Sequence, residues 1–157
     1  MCEYITEIFI AIGSGLIASI LAVIIINKLE KHKLKKDLKK YLGKWTTHPL
    51  DNRTEPDESR LQGEVTITYD KNNILNFYHK NKIPNREGID WQGKLIINKE
   101  YLDTGRLIWQ YIETSKYSDL GYKEIILKEK ADYYLLYLIG INFGDQQYGF
   151  EVCKRMK

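Results

Sequence analysis

The sequence predicts an all-β domain, a small eight-stranded antiparallel up-and-down barrel, preceded by one N-terminal transmembrane helix. Three observations predict it. Residues Ile8 to Ile26 are nineteen consecutive uncharged residues, mostly Ile, Leu, Ala and Val. From Gly43 onward the apolar pattern has a period of two. Segments of that kind then succeed one another, separated by turn-forming residues and with no helical pattern between them.

The apolar run comes first. At a rise of about 1.5 Å per residue it spans roughly 28 Å, close to the hydrocarbon thickness of a bilayer. A cleavable signal peptide needs a basic start, a shorter apolar stretch and a small-residue cleavage site. Here the start is acidic, with Glu3 and Glu7, and the run ends in Asn27-Lys28. The run therefore reads as a retained anchor. Lys28, Lys31, Lys33, Lys35, Lys36, Lys39 and Lys40 all follow it and no lysine precedes it. The positive-inside rule then gives a single-pass arrangement, N-terminus outside and C-terminal domain cytoplasmic. Ala11, Gly15 and Ser19 are spaced four apart, a small-residue stripe on which helices approach closely in lipid. Leu34, Leu38 and Leu42 continue on one face among the lysines, as expected of a basic juxtamembrane helix or stalk. The chain thus divides into an anchor, 1–27, a stalk, 28–42, and a β-domain, 43–157.

In the β-domain, strands are expected at about 44–50, 62–70, 74–80, 89–98, 106–114, 122–130, 133–141 and 147–155. Val65, Ile67 and Tyr69 share one face, as do Trp91, Gly93, Leu95 and Ile97, and as do Leu107, Trp109 and Tyr111. Asp70-Lys71-Asn72-Asn73, Asp103-Thr104-Gly105 and Ser118-Asp119-Leu120-Gly121 supply turns. Eight strands joined in sequence close most simply into a barrel, which removes exposed edges and leaves an interior for side chains or one small ligand.

Charge excludes one class of function. Residues 41–157 hold seventeen Lys or Arg against seventeen Asp or Glu, so the net positive charge of the chain lies beside the apolar run. A neutral domain is unsuited to coating DNA or RNA. Cys2 and Cys153 fall on opposite sides of the anchor and are expected to remain free thiols. His32, His48 and His79 lack metal-ligand spacing, and no phosphate loop, nucleophile elbow or dinucleotide fingerprint occurs. No catalytic residue, metal site or cofactor is expected, and the domain reads as a non-enzyme.

The surplus is aromatic: eleven tyrosines and three tryptophans in 41–157. Aromatic rings stack nucleobases, and an arginine forks onto phosphate. The candidate ligand-binding residues are accordingly Trp91, Arg106, Trp109, Tyr111 and Tyr137, with Arg86 in the long loop as a second arginine. Alternation puts Arg106 on the opposite strand face from Trp109 and Tyr111, so they could share a pocket only near a barrel mouth.

The domain opens with Gly43-Lys44-Trp45. A Gly-x-Trp on the first strand is the small signature of lipocalin-like barrels, in which the tryptophan plugs one end. Together with the apolar anchor, the basic stalk and the eight short strands, it resembles the CD-NTase-associated membrane effectors of CBASS antiphage defence. The resemblance implies a barrel that senses a cyclic nucleotide, in particular a cyclic dinucleotide made by a partner nucleotide cyclase. It further implies a homo-oligomer whose membrane segments disrupt the inner membrane and kill the cell. Members of that family generally carry two membrane helices, and this chain has one. A related effector held inactive by its nucleotide, a membrane-tethered carrier of an apolar ligand, and a plain interaction module with a filled barrel stay open.

Overall fold

The computed structural model describes residues 2–49, 56–83, 90–112, 120–143 and 148–157; the side chains of 2–14, 111, 142 and 148 lie outside that description. The chain divides into two units, residues 1–36 and 37–157.

The first unit is the helix α1, which runs without a break from Cys2 to Asp37. The expected border between anchor and stalk at residue 27 is thus not a break in the backbone. Every large aliphatic side chain from Leu16 to Leu29 is more than half exposed. Among the described residues no helix is long and apolar enough to cross a membrane. The run Ile8–Ile26 straddles the limit of the described side chains. Within the stripe, the Ser19 hydroxyl donates to the Gly15 carbonyl at 2.8 Å, and a Cβ added at Gly15 would meet nothing within 4 Å among the described residues. The Ala11 side chain lies outside the described residues.

The second unit is a closed antiparallel barrel in which each strand pairs with its sequence neighbours and β1 closes onto β8. The strands are β1 Gly43–Pro49, β2 Gly63–Lys71, β3 Ile74–Asn81, β4 Trp91–Ile97, β5 Thr104–Tyr111, β6 Leu120–Glu129, β7 Tyr133–Asn142 and β8 Tyr148–Met156. Their limits fall within three residues of the sequence expectation, the furthest being the end of β5. Alternation is strict on β2, where Gly63, Val65 and Ile67 are buried and Glu64, Thr66 and Thr68 are exposed.

The unit begins earlier than residue 43 because Leu38 and Tyr41, expected in the stalk, are fully buried. A 3-10 turn, Leu38–Lys40, brings the chain to the barrel end that also carries the β2–β3, β4–β5 and β6–β7 turns. The Tyr41 hydroxyl donates to the Leu102 carbonyl at 2.7 Å, and Trp45 Nε1 donates to the Tyr41 carbonyl at 2.8 Å. Arg155 lies over the Trp45 and Tyr134 rings and donates to the Leu42 and Lys40 carbonyls at 2.6 and 2.8 Å. Trp45 is buried in this end, as the Gly-x-Trp resemblance implies for a plug. Gly43 has φ +117°, a conformation that L side chains rarely adopt, which explains the glycine of the tripeptide.

Candidate functional site

The opposite end of the barrel receives the connections β1–β2, β3–β4, β5–β6 and β7–β8. Near it the interior turns from aliphatic to aromatic and charged. Thr47, His79, Trp91, Trp109, Lys123 and Glu151 each lie within four residues of the strand terminus that faces those connections. The inner wall toward the other end is Ile67, Leu75, Leu95, Ile97, Leu107, Ile125, Leu127 and Leu136, all buried.

The aromatic part is a stack. Phe77 and Trp91 lie 4.9 Å apart at 15° between planes, and His79 and Trp91 lie 4.8 Å apart at 14°. Trp109 is tilted by 52° against Trp91 at 5.3 Å. The Lys123 ammonium sits 5.1 Å from the Trp91 ring centre and 5.7 Å from that of Trp109, within cation–π range of both. It also pairs with Glu151 Oε1 at 2.9 Å. The Thr47 hydroxyl and His79 Nε2 are hydrogen-bonded at 3.1 Å. Among the described residues, His79 Nδ1 and Glu151 Oε2 are buried atoms with no hydrogen-bond partner.

Burial acts on the titration of these groups. It pushes His79 down from 6.5 to about 4, against the pull of Glu151, so the ring is neutral near pH 7. Burial works to raise the Glu151 carboxyl, but attraction and hydrogen bonding from Lys123 outweigh it and leave the group below its ordinary value. The Cys153 thiol is pushed well up by burial, with Glu151 adding to the effect, so it is an unreactive core residue. His79 gives a stability prediction. Between about pH 6.5 and about 4 the unfolded chain binds a proton that the folded chain refuses, so stability falls as pH falls through that window. The single-site loss amounts to about 3 kcal/mol once pH is below both values. Denaturant unfolding measured at pH 7 and pH 4 should show that loss, and His79→Phe should reduce it.

Packing sets the position of Trp109. It pairs across the ladder with Gly121 on β6, and a Cβ built at Gly121 would collide with the indole ring. Gly121→Ala should therefore displace Trp109 and destabilise the barrel by about 1–3 kcal/mol. The checks are an unfolding curve and a red shift of tryptophan emission.

Trp91 and Trp109 of the sequence candidates come together here. Tyr111 pairs with Trp91 in the ladder, but its side chain lies outside the described residues, as does Arg86. Arg106 does not join them. It is exposed, pairs with exposed Glu124, and stands near the start of β5, toward the end that Trp45 plugs. Tyr137 does not join them either. It pairs with exposed Ile126, so it lies on the outer wall, where it packs with Leu135 and Val152 under the Lys128 ammonium. Lys123, Glu151 and His79 escaped the sequence reading, although the spacing of Lys123 from inward-facing Ile125 and Leu127 marks it as an inward lysine.

The cluster gathers two buried indoles, an ammonium paired with Glu151, and two buried polar atoms without a hydrogen-bond partner among the described residues, His79 Nδ1 and Glu151 Oε2. Among the described residues no group of three or more His, Cys, Asp or Glu side chains is placed to hold a metal. The outer wall carries grooves of about 820 and 840 Å³, but there Lys154 is paired with Glu58 and Lys94 with Asp70.

No protein-family model and no curated protein matches the sequence. Among solved structures the chain is similar to a redesigned β-barrel, b11L5F_LGL, at 14% identity and a TM-score of 0.55, covering 77% of this chain and 96% of that one. It is also similar to the redesigned β-barrel mFAP1, bound to DFHBI, at 13% identity and a TM-score of 0.51, covering 77% of this chain and 97% of that one. These likenesses define the fold, a small closed eight-stranded β-barrel, and nothing finer.

Proposed function

We propose that this protein is a membrane-anchored sensor in which the barrel binds a cyclic nucleotide and the N-terminal helix acts on the bacterial inner membrane. The supporting observation is the interior cluster of Trp91, Trp109 and Lys123. A cyclic nucleotide combines flat bases with phosphates, and the cluster combines indole faces with a cation. On the membrane side, nine large aliphatic side chains from Leu16 to Leu29 stand exposed on α1, and an apolar surface of that extent needs lipid or another helix to cover it. The arrangement of anchor, basic segment and Gly43-Lys44-Trp45 barrel resembles the CD-NTase-associated effectors, and the defence role follows from that resemblance. In this scheme the nucleotide comes from a cyclase, the barrel controls assembly of α1 into homo-oligomers, and the assembled helices breach the membrane.

A second reading is favoured by one observation. Lys123 already has a counter-ion, and the rings already stack on each other, as in a filled barrel that serves only as an interaction module. Co-expression separates the two. Cells carrying the full chain and a cyclic-nucleotide synthase should take up propidium iodide only when the synthase is active. Uptake that ignores the synthase would leave the interaction module as the better description.

A further inference from the structure

We infer that Lys123 is the anion seat of the barrel and that Glu151 is its resident occupant, a carboxylate of the chain itself that an incoming phosphate must displace. The inference deepens the proposal above and rests on its premise that the ligand carries phosphate.

Lys123 differs from the other described lysines of the barrel in being nearly sequestered, with 7% of its side chain exposed. Its ammonium is framed by two indoles, which fixes it beside the surfaces where bases would stack. A buried ammonium must be neutralised, and Glu151 does this at 2.9 Å. The pair is asymmetric in side-chain exposure, 26% for Glu151 against 7% for Lys123, although Glu151 Oε2 itself is buried. Only one of its oxygens is engaged, and Oε2 has no partner among the described residues. Buried polar atoms are hydrogen-bonded as a rule, so the bare Oε2 marks a carboxylate held by one oxygen only. Glu151 is therefore the partner able to leave while Lys123 stays. Phosphate arriving as it leaves keeps the ammonium paired throughout. Neutral His79 adds no second cation to compete for the anion. Glu151 in this role sets a threshold: only a ligand that also stacks on the indoles gains enough to expel it, so free inorganic anions are refused.

The test is calorimetric titration of the full chain in detergent micelles with cyclic di-GMP, cyclic di-AMP and inorganic pyrophosphate. Wild type should ignore pyrophosphate. Glu151→Gln, which keeps the shape and removes the charge, should bind the phosphate-bearing probes at least about tenfold more tightly. Lys123→Met/Glu151→Leu, which leaves no orphaned charge, should still melt cooperatively and bind none of them. Should Glu151→Gln not fold, Glu151→Asp, which withdraws the carboxylate, should show a smaller gain of the same sign. Unchanged or weaker binding by a folded Glu151 variant overturns the inference, as does binding retained in the double variant. If cyclic dinucleotides bind all forms alike, the seat is refuted while cyclic-nucleotide sensing stands. If only pyrophosphate binds, and only to Glu151→Gln, the seat stands and the cyclic-nucleotide assignment fails.

Discussion

Replacing Lys123 by methionine should cost the barrel about 1–3 kcal/mol, because Glu151 then either stays beside the aromatic stack without its counter-ion or gives up its place there. The same logic predicts recovery on a second change. Lys123→Met/Glu151→Leu removes both charges and fills the space with apolar atoms, so it should be far more stable than the single variant and close to wild type. Replacing a buried ion pair by apolar residues of similar volume is often neutral or favourable. Urea unfolding followed by tryptophan emission reads the whole cycle, since Trp91 and Trp109 both border Lys123. A double variant no more stable than Lys123→Met would show that the pair stabilises by packing rather than by charge neutralisation.

The second large effect concerns α1. Deleting residues 8–26 should move the chain from the membrane fraction to the soluble fraction and abolish membrane leakage, because these residues hold the longest uncharged run of the sequence. Gly15→Leu is the finer probe. Among the described residues a Cβ at Gly15 meets nothing within 4 Å. In the proposed mechanism a leucine there acts on helices that approach along Ala11, Gly15 and Ser19. In the proposed mechanism, a nucleotide that moves the helices from mostly dispersed to mostly assembled has to bind the two forms with affinities that differ by about 5.5 kcal/mol, a total that several barrels could sum. Gly15→Leu should therefore suppress propidium iodide uptake with the barrel still stable and still binding ligand. Uptake equal to wild type in that variant would remove the stripe from the mechanism.

Much of the barrel was legible because most strands alternate cleanly. On β4, Trp91, Leu95 and Ile97 face in while Gln92 and Lys94 face out, and on β5 the same rule placed Trp109 inside and Arg106 outside. What alternation could not resolve was β7, where Tyr133–Ile139 is apolar on both faces. Leu135, Leu136, Tyr137 and Leu138 are all buried, so the pattern gives no sign of which set faces the interior, and Tyr137 belongs to the outer wall. The polar part of the site was hidden for another reason. A charged residue in a strand reads as solvent-facing by default; alternation with Ile125 and Leu127 turns Lys123 inward, and its counter-ion there, Glu151, comes from β8. Such a pair depends on the tilt and closure of the barrel, which set long-range neighbours that no local pattern carries. Likewise the start of the barrel unit depends on Leu38 and Tyr41 folding back into its end, where helical spacing alone assigned them to the stalk.

The central proposal, a cyclic nucleotide bound among Trp91, Trp109 and Lys123, is tested most directly by thermal shift. The full chain in detergent micelles would be melted with a panel of cyclic di- and trinucleotides. At least one of them should raise Tm, and Trp91→Ala or Trp109→Ala should weaken its binding by about 5- to 150-fold, the equivalent of about 1–3 kcal/mol for a lost base stack. A panel in which no cyclic nucleotide shifts Tm, or binding that survives both tryptophan substitutions unchanged, would contradict the proposal.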